Sequence, residues 1–437
     1  MINIKDFGAV GDGKTMNTRA IQAAIDAARE KGRGIRIPQG RFLTGTLNIT
    51  GVSMYLSGGA VLLGSGDMED YPVQPFEHNE MGPIQALLVC YQSRNITISG
   101  SGIIDLSGDN FYDFTKPLVP ESKVPYNEGQ KKECTVYHEK RPNQCIFFHH
   151  VENLTVQGIT VLNAPCWTFS FNECSNVKVL NLTIDTSLNI PNDDGMHFCS
   201  CCGVIISGCN ITSGDDCFAF SGITNWEKPC ENIVITNCIV KSCSKAIVLG
   251  YIHSHVRNVL IENVIIRESN RGLCIMSNPE TGLVENVRIK NMLIDTRVRA
   301  GNWWGNGEAV FFMAMDHTGN VPVSQKPARR TAVNIRDIHL DGVTCTTENA
   351  LGVIGVRENI EDVCMNDIRV IRKPSENITL KGETFDVSPS KGSYAVPADC
   401  GLYLENVRGA RLTDINMRNT EGEILRIVQK EIETEIC

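Results

Sequence analysis

Short apolar runs recur along most of the chain, each alternating apolar with polar residues before an Asn or Gly interrupts it. Examples are NLTVQGITV, NVKVLNLTI, NIVITNCIV and NVRIKNMLI. Strict alternation predicts β-strands, because successive side chains of a strand point to opposite faces. A second apolar run precedes most of these units, as in TFSF, GMHF, CFAF, AIVL and GLCI. The pattern therefore predicts several short strands in every repeat.

The repeat has a period of 23 to 29 residues, measured between equivalent apolar positions that follow the Asn or Gly. These positions are Ile159, Leu182, Cys209, Cys238, Val264 and Met292. A period in the twenties without helices between the strands is typical of a β-solenoid, whose stacked coils share one core. A TIM barrel is disfavoured, since it needs a helix of ten or more residues between consecutive strands.

The first 50 residues depart from the repeat and predict a helical cap. The apolar residues at helical spacing are Ile21, Ala24, Ile25 and Ala28. Asn17 or Thr18 would cap this helix and Gly32 would end it. Because the open end of a solenoid must be covered, residues 1–50 are predicted to cap a β-helix of residues 51–437 within the same domain. Polar, Pro-rich residues 106–145 break the repeat and predict a long loop over one face.

Charge and composition exclude some partners. A net charge of −9 argues against nucleic acid or an anionic membrane, and no apolar window of 18 residues predicts a transmembrane helix. The start MINIKDFGAVGDG lacks the basic and apolar regions of a signal peptide, so we expect a cytoplasmic protein. In that compartment the 18 cysteines stay reduced, and we interpret them as small buried apolar residues.

Three local patterns have simpler explanations than the sites they imitate. Residues 8–15, GAVGDGKT, match the phosphate-loop spacing but lack βαβ alternation, so a Gly-rich turn is favoured. The cluster CSCC at 199–202 lacks a second pair at zinc-finger spacing, so no metal or cofactor is predicted. Six Asn-x-Thr sequons fall largely at equivalent coil positions, where turn chemistry explains them better than glycosylation. They begin at Asn48, Asn95, Asn153, Asn181, Asn210 and Asn377.

Charged residues recur at one turn of successive coils, directly before the strands GMHF, CFAF, AIVL, GLCI and AVFF. They are Asp194, the pair Asp215 and Asp216, Lys245, Arg271 and Glu308, and Trp167 holds the equivalent place one coil earlier. Neighbouring coils stack about 4.8 Å apart, so these side chains are predicted to form a column on one face. A single charged residue at a turn is best explained by its solvation. Charged residues at the same turn of five successive coils are better explained by a shared function.

A column of this kind suits hydrolysis of a glycosidic bond. Clustered carboxyls raise one another's proton affinity, so that one stays protonated as an acid while others stay ionised. Two carboxyl groups about 6.5–9.5 Å apart leave room for a water between base and sugar, the inverting geometry, and Asp194 and Asp215 would fall near that range. Trp303 and Trp304 add flat apolar surfaces for sugar rings.

At these residues the sequence resembles glycoside hydrolase family 28, the polygalacturonase-like right-handed parallel β-helix enzymes. The resemblance runs from residue 4 to about 315 through DFGAVGDG, IPQGRFLTGTL, LNAPCWTF, PNDDG and SGDDC. It implies an all-β, single-domain right-handed parallel β-helix with an N-terminal capping helix. The family's Asn-Thr-Asp motif corresponds to Asn192-Asp193-Asp194 and its Asp-Asp motif to Asp215-Asp216. The resemblance implies that Asp215 is the general acid and that Asp194 and Asp216 activate water.

Two family motifs are replaced. Gly-His-Gly corresponds to Ser244-Lys245-Ala246, and Arg-Ile-Lys, which grips the galacturonate carboxylate, corresponds to Cys274-Ile275-Met276. An ordinary endo-polygalacturonase is therefore not expected. Lys245 and Arg271 would either restore cationic recognition of the substrate or pair with the aspartates. His197 is ambiguous: packing within a coil is favoured over catalysis.

These observations predict a cytoplasmic inverting glycoside hydrolase that acts on plant-type, pectic or related oligosaccharides. The candidate substrate-binding residues are Asn192, Lys245, Arg271, Trp167, His197, Trp303, Trp304 and Glu308. Loops 106–145 and 296–330 hint at exo-action by closing one end of the cleft. Two alternatives stay open: a Ca²⁺-dependent lyase whose base is Lys245 or Arg271, and a non-catalytic carbohydrate-binding solenoid. The sequence leaves the sugar, the linkage and the oligomeric state undetermined.

Overall fold

The protein is described by a computed structural model that covers residues 1–117, 135–299, 301, 303–316, 327–375, 383–390 and 394–430. Within this part of the chain, 32 strands form one sheet in which strands of successive coils pair in parallel. Each complete coil places a strand on each of three faces. The predicted parallel β-helix is therefore confirmed.

The strands are grouped by face in chain order. The first face holds Leu47–Asn48, Trp167–Asn172, Met196–Cys199, Phe218–Ser221, Lys245–Gly250, Arg271–Ser277, Val310–Ala314, Leu351–Gly355, Cys400–Glu405 and Arg426–Lys430. The second holds Ile2–Asn3, Ile35–Ile37, Met54–Leu56, Ser175–Leu180, Cys202–Ser207, Cys230–Thr236 and Val407–Arg408. The third holds Asp12–Met16, Gly40–Thr44, Ala60–Gly64, Ile103–Asp105, Thr160–Leu162, Thr183–Asp185, Asn210–Ser213 and Ile239–Ser242.

Longer strands bend around a corner and serve two faces. Those shared by the first and second faces are Leu88–Gly100 and Gln144–Gln157. Those shared by the second and third faces are His255–Ser269, Leu283–Thr296, Ile335–Thr347, Ile360–Arg372 and Arg411–Asn419. Three antiparallel pairs lie outside the coils: Glu77–His78 with Gly82–Pro83, Asp113–Pro117 with Val136–Tyr137, and Thr384–Phe385 with Tyr394–Ala395. The 3₁₀ helices are Ile4–Phe7, Met68–Asp70 and Gly108–Phe111.

The core lies along the axis of the coils, where equivalent side chains stack. The six positions that define the period are each at most 2% exposed. Phe171 stacks on Phe198 with ring centroids 4.6 Å apart, and Phe198 stacks on Phe220 at 5.0 Å. Alternation along each strand therefore sends one set of side chains into a continuous core and leaves the other set outside.

Asparagine ladders mark the corners between faces. Asn95, Asn153 and Asn176 adopt left-handed φ angles of 58°, 56° and 51°, and their side-chain amides bond to one another at 3.0 and 3.1 Å. Asn181 also has a left-handed φ, of 54°, whereas Asn48 and Asn210 do not adopt a left-handed φ. Turn chemistry thus accounts for three of the sequons, and Asn377 lies outside the described residues.

The predicted cap helix spans Thr18–Glu30, and its buried residues are those of the predicted face: Ile21, Ala24, Ile25 and Ala28. All four join the core cluster of the coils. The Asn17 side chain bonds to Val10 and Thr15 instead of capping the first turn. Gly32, just after the helix, has a φ of +58°, a conformation that suits glycine.

The structure also shows the surroundings of the other sequence features considered above. Lys14 and Thr15 of the phosphate-loop match lie in the strand Asp12–Met16, where both amides bond to the Asp12 carboxylate. The described cysteines are free, and most of them are buried, whereas Cys202 and Cys364 are partly exposed. No described helix is long and apolar enough to span a membrane. The centre of the predicted 106–145 loop lies outside the described residues, as does part of the 296–330 loop.

Candidate active site

Backbone hydrogen bonds between successive coils align the charged turn residues in a column. At the turn from the third face to the first, a backbone amide of one coil donates to a backbone carbonyl of the next coil. The donor and acceptor residues are Thr168 and Asp194, Gly195 and Asp216, Cys217 and Lys245, and Gly272 and Glu308. Lys245 and Arg271 are partners in the parallel pairing of their strands. These bonds place Trp167, Asp194, Asp216, Lys245, Arg271 and Glu308 side by side. The prediction of a column is therefore confirmed.

A cavity of about 160 Å³ opens on the first part of this column. Its predicted members are Trp167, Asn192, Asp194, His197, Asp215, Asp216, Lys245 and Trp304. Carboxyl groups, a cation and two indole rings thus line one cavity, which we call the active-site pocket.

Asp216 and Lys245 form an ion pair in this pocket. The Lys245 Nζ lies 2.9 Å from Asp216 Oδ1, donates to Ser244 Oγ at 3.1 Å, and lies 4.6 Å from the centre of the Trp304 ring. Burial raises the pKa of the Asp216 carboxyl to about 7, although the Lys245 ammonium opposes this increase. Of the two alternatives for Lys245, the structure shows the pairing with an aspartate, and the Lys245 ammonium favours the ionised form of Asp216.

Asp194 is the second carboxyl of the pocket and is 4% exposed. Burial raises its pKa well above the usual range, and the carboxyls of Asp215 and Asp216 add to the increase. Asp215 differs from Asp194 and Asp216 because its side chain is partly exposed. Its backbone amide donates to the Asp193 carbonyl at 3.1 Å, which fixes its place in the turn. Asp215 is therefore the most accessible of the three carboxyls.

His197 lies on the floor of the pocket. Its ring packs against Trp167 at a tilt of 44° with centroids 3.7 Å apart, and its Nδ1 lies 3.7 Å from Asp194 Oδ2. Burial lowers the pKa of His197 well below its usual value. The neighbours on its strand, Met196 and Phe198, belong to the core cluster. His197 therefore points away from the core and faces the pocket as a neutral ring.

Arg271 and Glu308, expected to bind substrate, do not line the pocket, because both side chains are 0% exposed. The Arg271 guanidinium bonds to both Glu308 carboxylate oxygens at 3.2 Å and to the Asp386 carbonyl at 2.6 Å. Its flat face covers the Phe311 ring at 4.4 Å. Trp303 is 3% exposed and also lies outside the pocket lining. The structure therefore places these three residues outside the active-site pocket, and substrate contact by them is not part of the proposal below.

Glu80 is a pocket residue that the sequence analysis missed. It lies in the turn of the hairpin Glu77–His78 with Gly82–Pro83, which Asn79 ties to the Ile223 carbonyl at 2.6 Å. Burial raises the pKa of Glu80 to about 7, against the effect of a hydrogen bond with Tyr251. The hairpin precedes the clear repeats and carries no motif, so its polar run His78-Asn79-Glu80 was the only signal.

Arg141 is a second missed residue and it positions Asn192. Its Nη2 donates to the Asn192 side-chain oxygen at 3.0 Å, and its Nη1 donates to the Tyr112 hydroxyl and to the Pro165 and Pro191 carbonyls. Asn192 itself has a left-handed φ of 54°. The residues around the 106–145 insertion thus hold one wall of the pocket.

The chain matches the model of glycosyl hydrolases family 28 over residues 29–385. A probable polygalacturonase of Vitis vinifera is 26% identical over 317 residues, which cover 67% of this chain and 60% of that protein. An exo-poly-alpha-D-galacturonosidase of Dickeya chrysanthemi is 28% identical over 319 residues, covering 64% of this chain and 53% of that protein. The match thus spans little more than half the length of these relatives.

Two solved structures share the fold. The family 28 exopolygalacturonase of Yersinia enterocolitica has a TM-score of 0.70 at 21% identity, covering 98% of this chain and 78% of that chain. A hyperthermoactive exopolygalacturonase from Thermotoga maritima has a TM-score of 0.67 at 19% identity, covering 98% of this chain and 91% of that chain. At these identities the likeness shows the parallel β-helix.

Proposed function

The chain belongs to glycosyl hydrolase family 28, and from this premise we propose that it hydrolyses glycosidic bonds in pectic or related plant oligosaccharides. The observation that carries the proposal is the pocket in which Asp194, Asp215 and Asp216 meet beside Lys245. The names of relatives as polygalacturonases and exopolygalacturonases support a pectic substrate.

We assign the acid role to Asp215. It is the most accessible of the three carboxyls, so it can reach the glycosidic oxygen of a sugar that enters the pocket. Protonation of this oxygen makes the departing sugar a better leaving group. A carboxyl at the pocket opening also exchanges its proton with solvent after each turnover.

We assign the activation of water to Asp194 and Asp216. Both are buried beside Asp215, and the Lys245 ammonium stabilises the charge of Asp216 as it accepts or orients a proton. Water that attacks the anomeric carbon opposite the leaving group inverts its configuration. The role of base requires Asp216 to be ionised, which sets the pH behaviour of the reaction, whereas Asp194 can orient the water through a hydrogen bond while it is protonated.

We further propose that cleavage occurs at a chain end. Glu80 reaches the pocket from an insertion outside the coils, and Trp304 reaches it from the segment before the strand Val310–Ala314. Side chains from two insertions enclose a pocket better than they line an open groove. The rings of Trp167 and Trp304 offer flat apolar faces to a sugar.

The test compares Asp215→Asn with Asp185→Asn, since Asp185 is an exposed carboxyl on the preceding coil and lies outside the pocket lining. We expect D215N to lower kcat on its best pectic oligosaccharide by about 10²- to 10⁴-fold and D185N to leave it unchanged. Unchanged melting temperatures would show that both variants are folded. Full activity of D215N would remove the assignment.

Product chemistry separates the proposal from its alternatives. Hydrolysis gives products that lack the ultraviolet-absorbing double bond of lyase products, and it should survive EDTA. An absorbing product with loss of activity in EDTA would instead indicate a Ca²⁺-dependent lyase. Binding of oligosaccharides without any turnover would indicate a carbohydrate-binding solenoid. The cytoplasmic location stays a prediction, which fractionation of the source cells tests.

A further inference from the structure

Two histidines and a glutamate converge on the first face, away from the charged column. His149 Nε2 lies 4.0 Å from Glu173 Oε1, and His150 Nε2 lies 3.7 Å from the same oxygen. The three potential ligand atoms all lie within 4.8 Å of one another. These residues come from two consecutive coils, since His149 pairs with Asn172 directly before Glu173.

The backbone explains why neighbouring histidines point the same way. Along a regular strand, His149 and His150 would face opposite sides. His150 instead adopts a left-handed φ of 54°, and the two imidazole rings lie with centroids 4.1 Å apart. Glu173 also adopts a left-handed φ, of 50°. The corner between the first and second faces therefore gathers all three side chains.

The other oxygen of Glu173 is already occupied. Glu173 Oε2 lies 2.5 Å from the Lys228 Nζ and 3.3 Å from the Asn225 amide nitrogen. These contacts hold the carboxylate, whose side chain is 11% exposed, with Oε1 directed at the imidazoles. His149 is 15% exposed and His150 is 40% exposed, so the space between the three groups is accessible from solvent.

The donor set matches a borderline metal ion. Zn²⁺ binds imidazole nitrogen and carboxylate oxygen at about 2.0–2.2 Å, so two ligand atoms of a tetrahedral ion lie about 3.4 Å apart. The observed separations of 3.7 and 4.0 Å exceed this spacing by only about 0.3 and 0.6 Å, which small side-chain rotations can close, and they are too long for direct hydrogen bonds. Three protein ligands would leave one position of a tetrahedral ion to water.

We propose that His149, His150 and Glu173 bind one divalent transition-metal ion, with Zn²⁺ as the best fit. The site goes beyond the proposed function and does not depend on it. The ion joins two coils, and it stabilises segments that border the active-site pocket. Phe76, next to the hairpin that carries Glu80, packs on the His149 ring at 4.2 Å. Asn225 and Lys228 belong to the loop that Asn79 contacts through Ile223 and Thr224.

The direct test measures binding of ZnCl₂ to the metal-free full-length protein by isothermal titration calorimetry. We expect one ion per chain in the wild type and a loss of affinity of about tenfold or more in His150→Ala and in Glu173→Gln. His339→Ala is the matched control, since His339 also lies near a carboxylate, 3.2 Å from Asp337, but outside the cluster. This variant should bind as the wild type does.

Lys228→Met gives a prediction of the opposite sign. It removes an ammonium that repels a second cation beside Glu173, while Asn225 still donates to Oε2, so Zn²⁺ should bind more tightly than in the wild type. X-ray absorption of the zinc-loaded wild-type protein provides a readout that needs no variant, and it should show two imidazole ligands. Absence of binding, binding that H150A leaves unchanged, equal losses in H339A, or a spectrum without two imidazoles would each overturn the proposal.

Discussion

Two oppositely charged pairs follow each other on the same column, and they have opposite fates. Asp216 and Lys245 line the active-site pocket, with side chains 11% and 4% exposed. Arg271 and Glu308, on the next two coils, form a sealed pair, in which both side chains are 0% exposed. Backbone register aligns both pairs equally well. The comparison teaches that the repeat fixes where a side chain starts, whereas the segments that cover the coil decide whether it meets substrate.

The residues that cover the sealed pair come both from the turn beside Glu308 and from Asp386, far along the chain. The Asp386 carbonyl accepts from Arg271 and its amide donates to Glu308 at 3.1 Å, while the Asn306 amide donates to Glu308 at 2.7 Å. Every charged atom of this pair thus has a partner. In the pocket pair, the Lys245 ammonium meets the Trp304 ring and the open cavity. The sealed pair serves the fold, and the pocket pair is available for chemistry.

Breaking the sealed pair should have the largest effect on stability. Glu308→Gln leaves the Arg271 charge buried without its counterion, which costs about 3–5 kcal/mol. Asp216→Asn breaks the pocket pair, but Lys245 still faces the cavity and still donates to Ser244. This substitution should therefore lower the free energy of unfolding clearly less than Glu308→Gln does. Chemical unfolding of both variants measures the difference. Equal losses would contradict the distinction between the two pairs.

Removing the pocket cation should shift the pH dependence of the reaction. Asp216 must be ionised in its proposed role, and its pKa of about 7 already places the acidic limb of kcat/KM near neutrality. Lys245→Met removes the group that lowers this pKa, so the limb should move to higher pH. A pH profile of kcat/KM for both proteins checks this, and an unshifted limb would argue against Asp216 as a base.

The smallest effect concerns stability as a function of pH. Burial raises the pKa of Asp194, so the folded chain holds a proton that the unfolded chain releases above about pH 4. This group therefore makes the free energy of unfolding fall as the pH rises. Asp194→Asn removes that loss, and its melting temperature should exceed the wild-type value increasingly from pH 5 to pH 8. A constant difference over this range would contradict the raised pKa.

Much of the fold was predictable because its physics is local and repeated. Alternating residues fixed the strands, and the spacing of Ile159, Leu182 and Cys209 fixed the coils, since these positions must all enter one core. The face of the cap helix followed from helical spacing in the same way. The column of charges followed from register alone, because backbone bonds between coils preserve it.

The candidate site was predictable only where it belongs to the repeat. Asp194, Asp215, Asp216 and Lys245 reached the pocket as expected. Glu80 and Arg141 come from insertions whose folding the repeat does not determine, so the sequence pattern missed both. The neighbours Trp303 and Trp304 could not be told apart, because only the folded loop decides that Trp304 covers Lys245 and Trp303 is buried.

The central claim is that the pocket half of the column hydrolyses glycosidic bonds by direct attack of water. The most direct test is proton NMR of the wild-type reaction on its best oligosaccharide, recorded before the product anomers interconvert. We predict that the first product has the anomeric configuration opposite to that of the cleaved bond. A first product that retains the configuration would contradict the account, because it requires a covalent sugar–enzyme intermediate instead of a water held by Asp194 and Asp216.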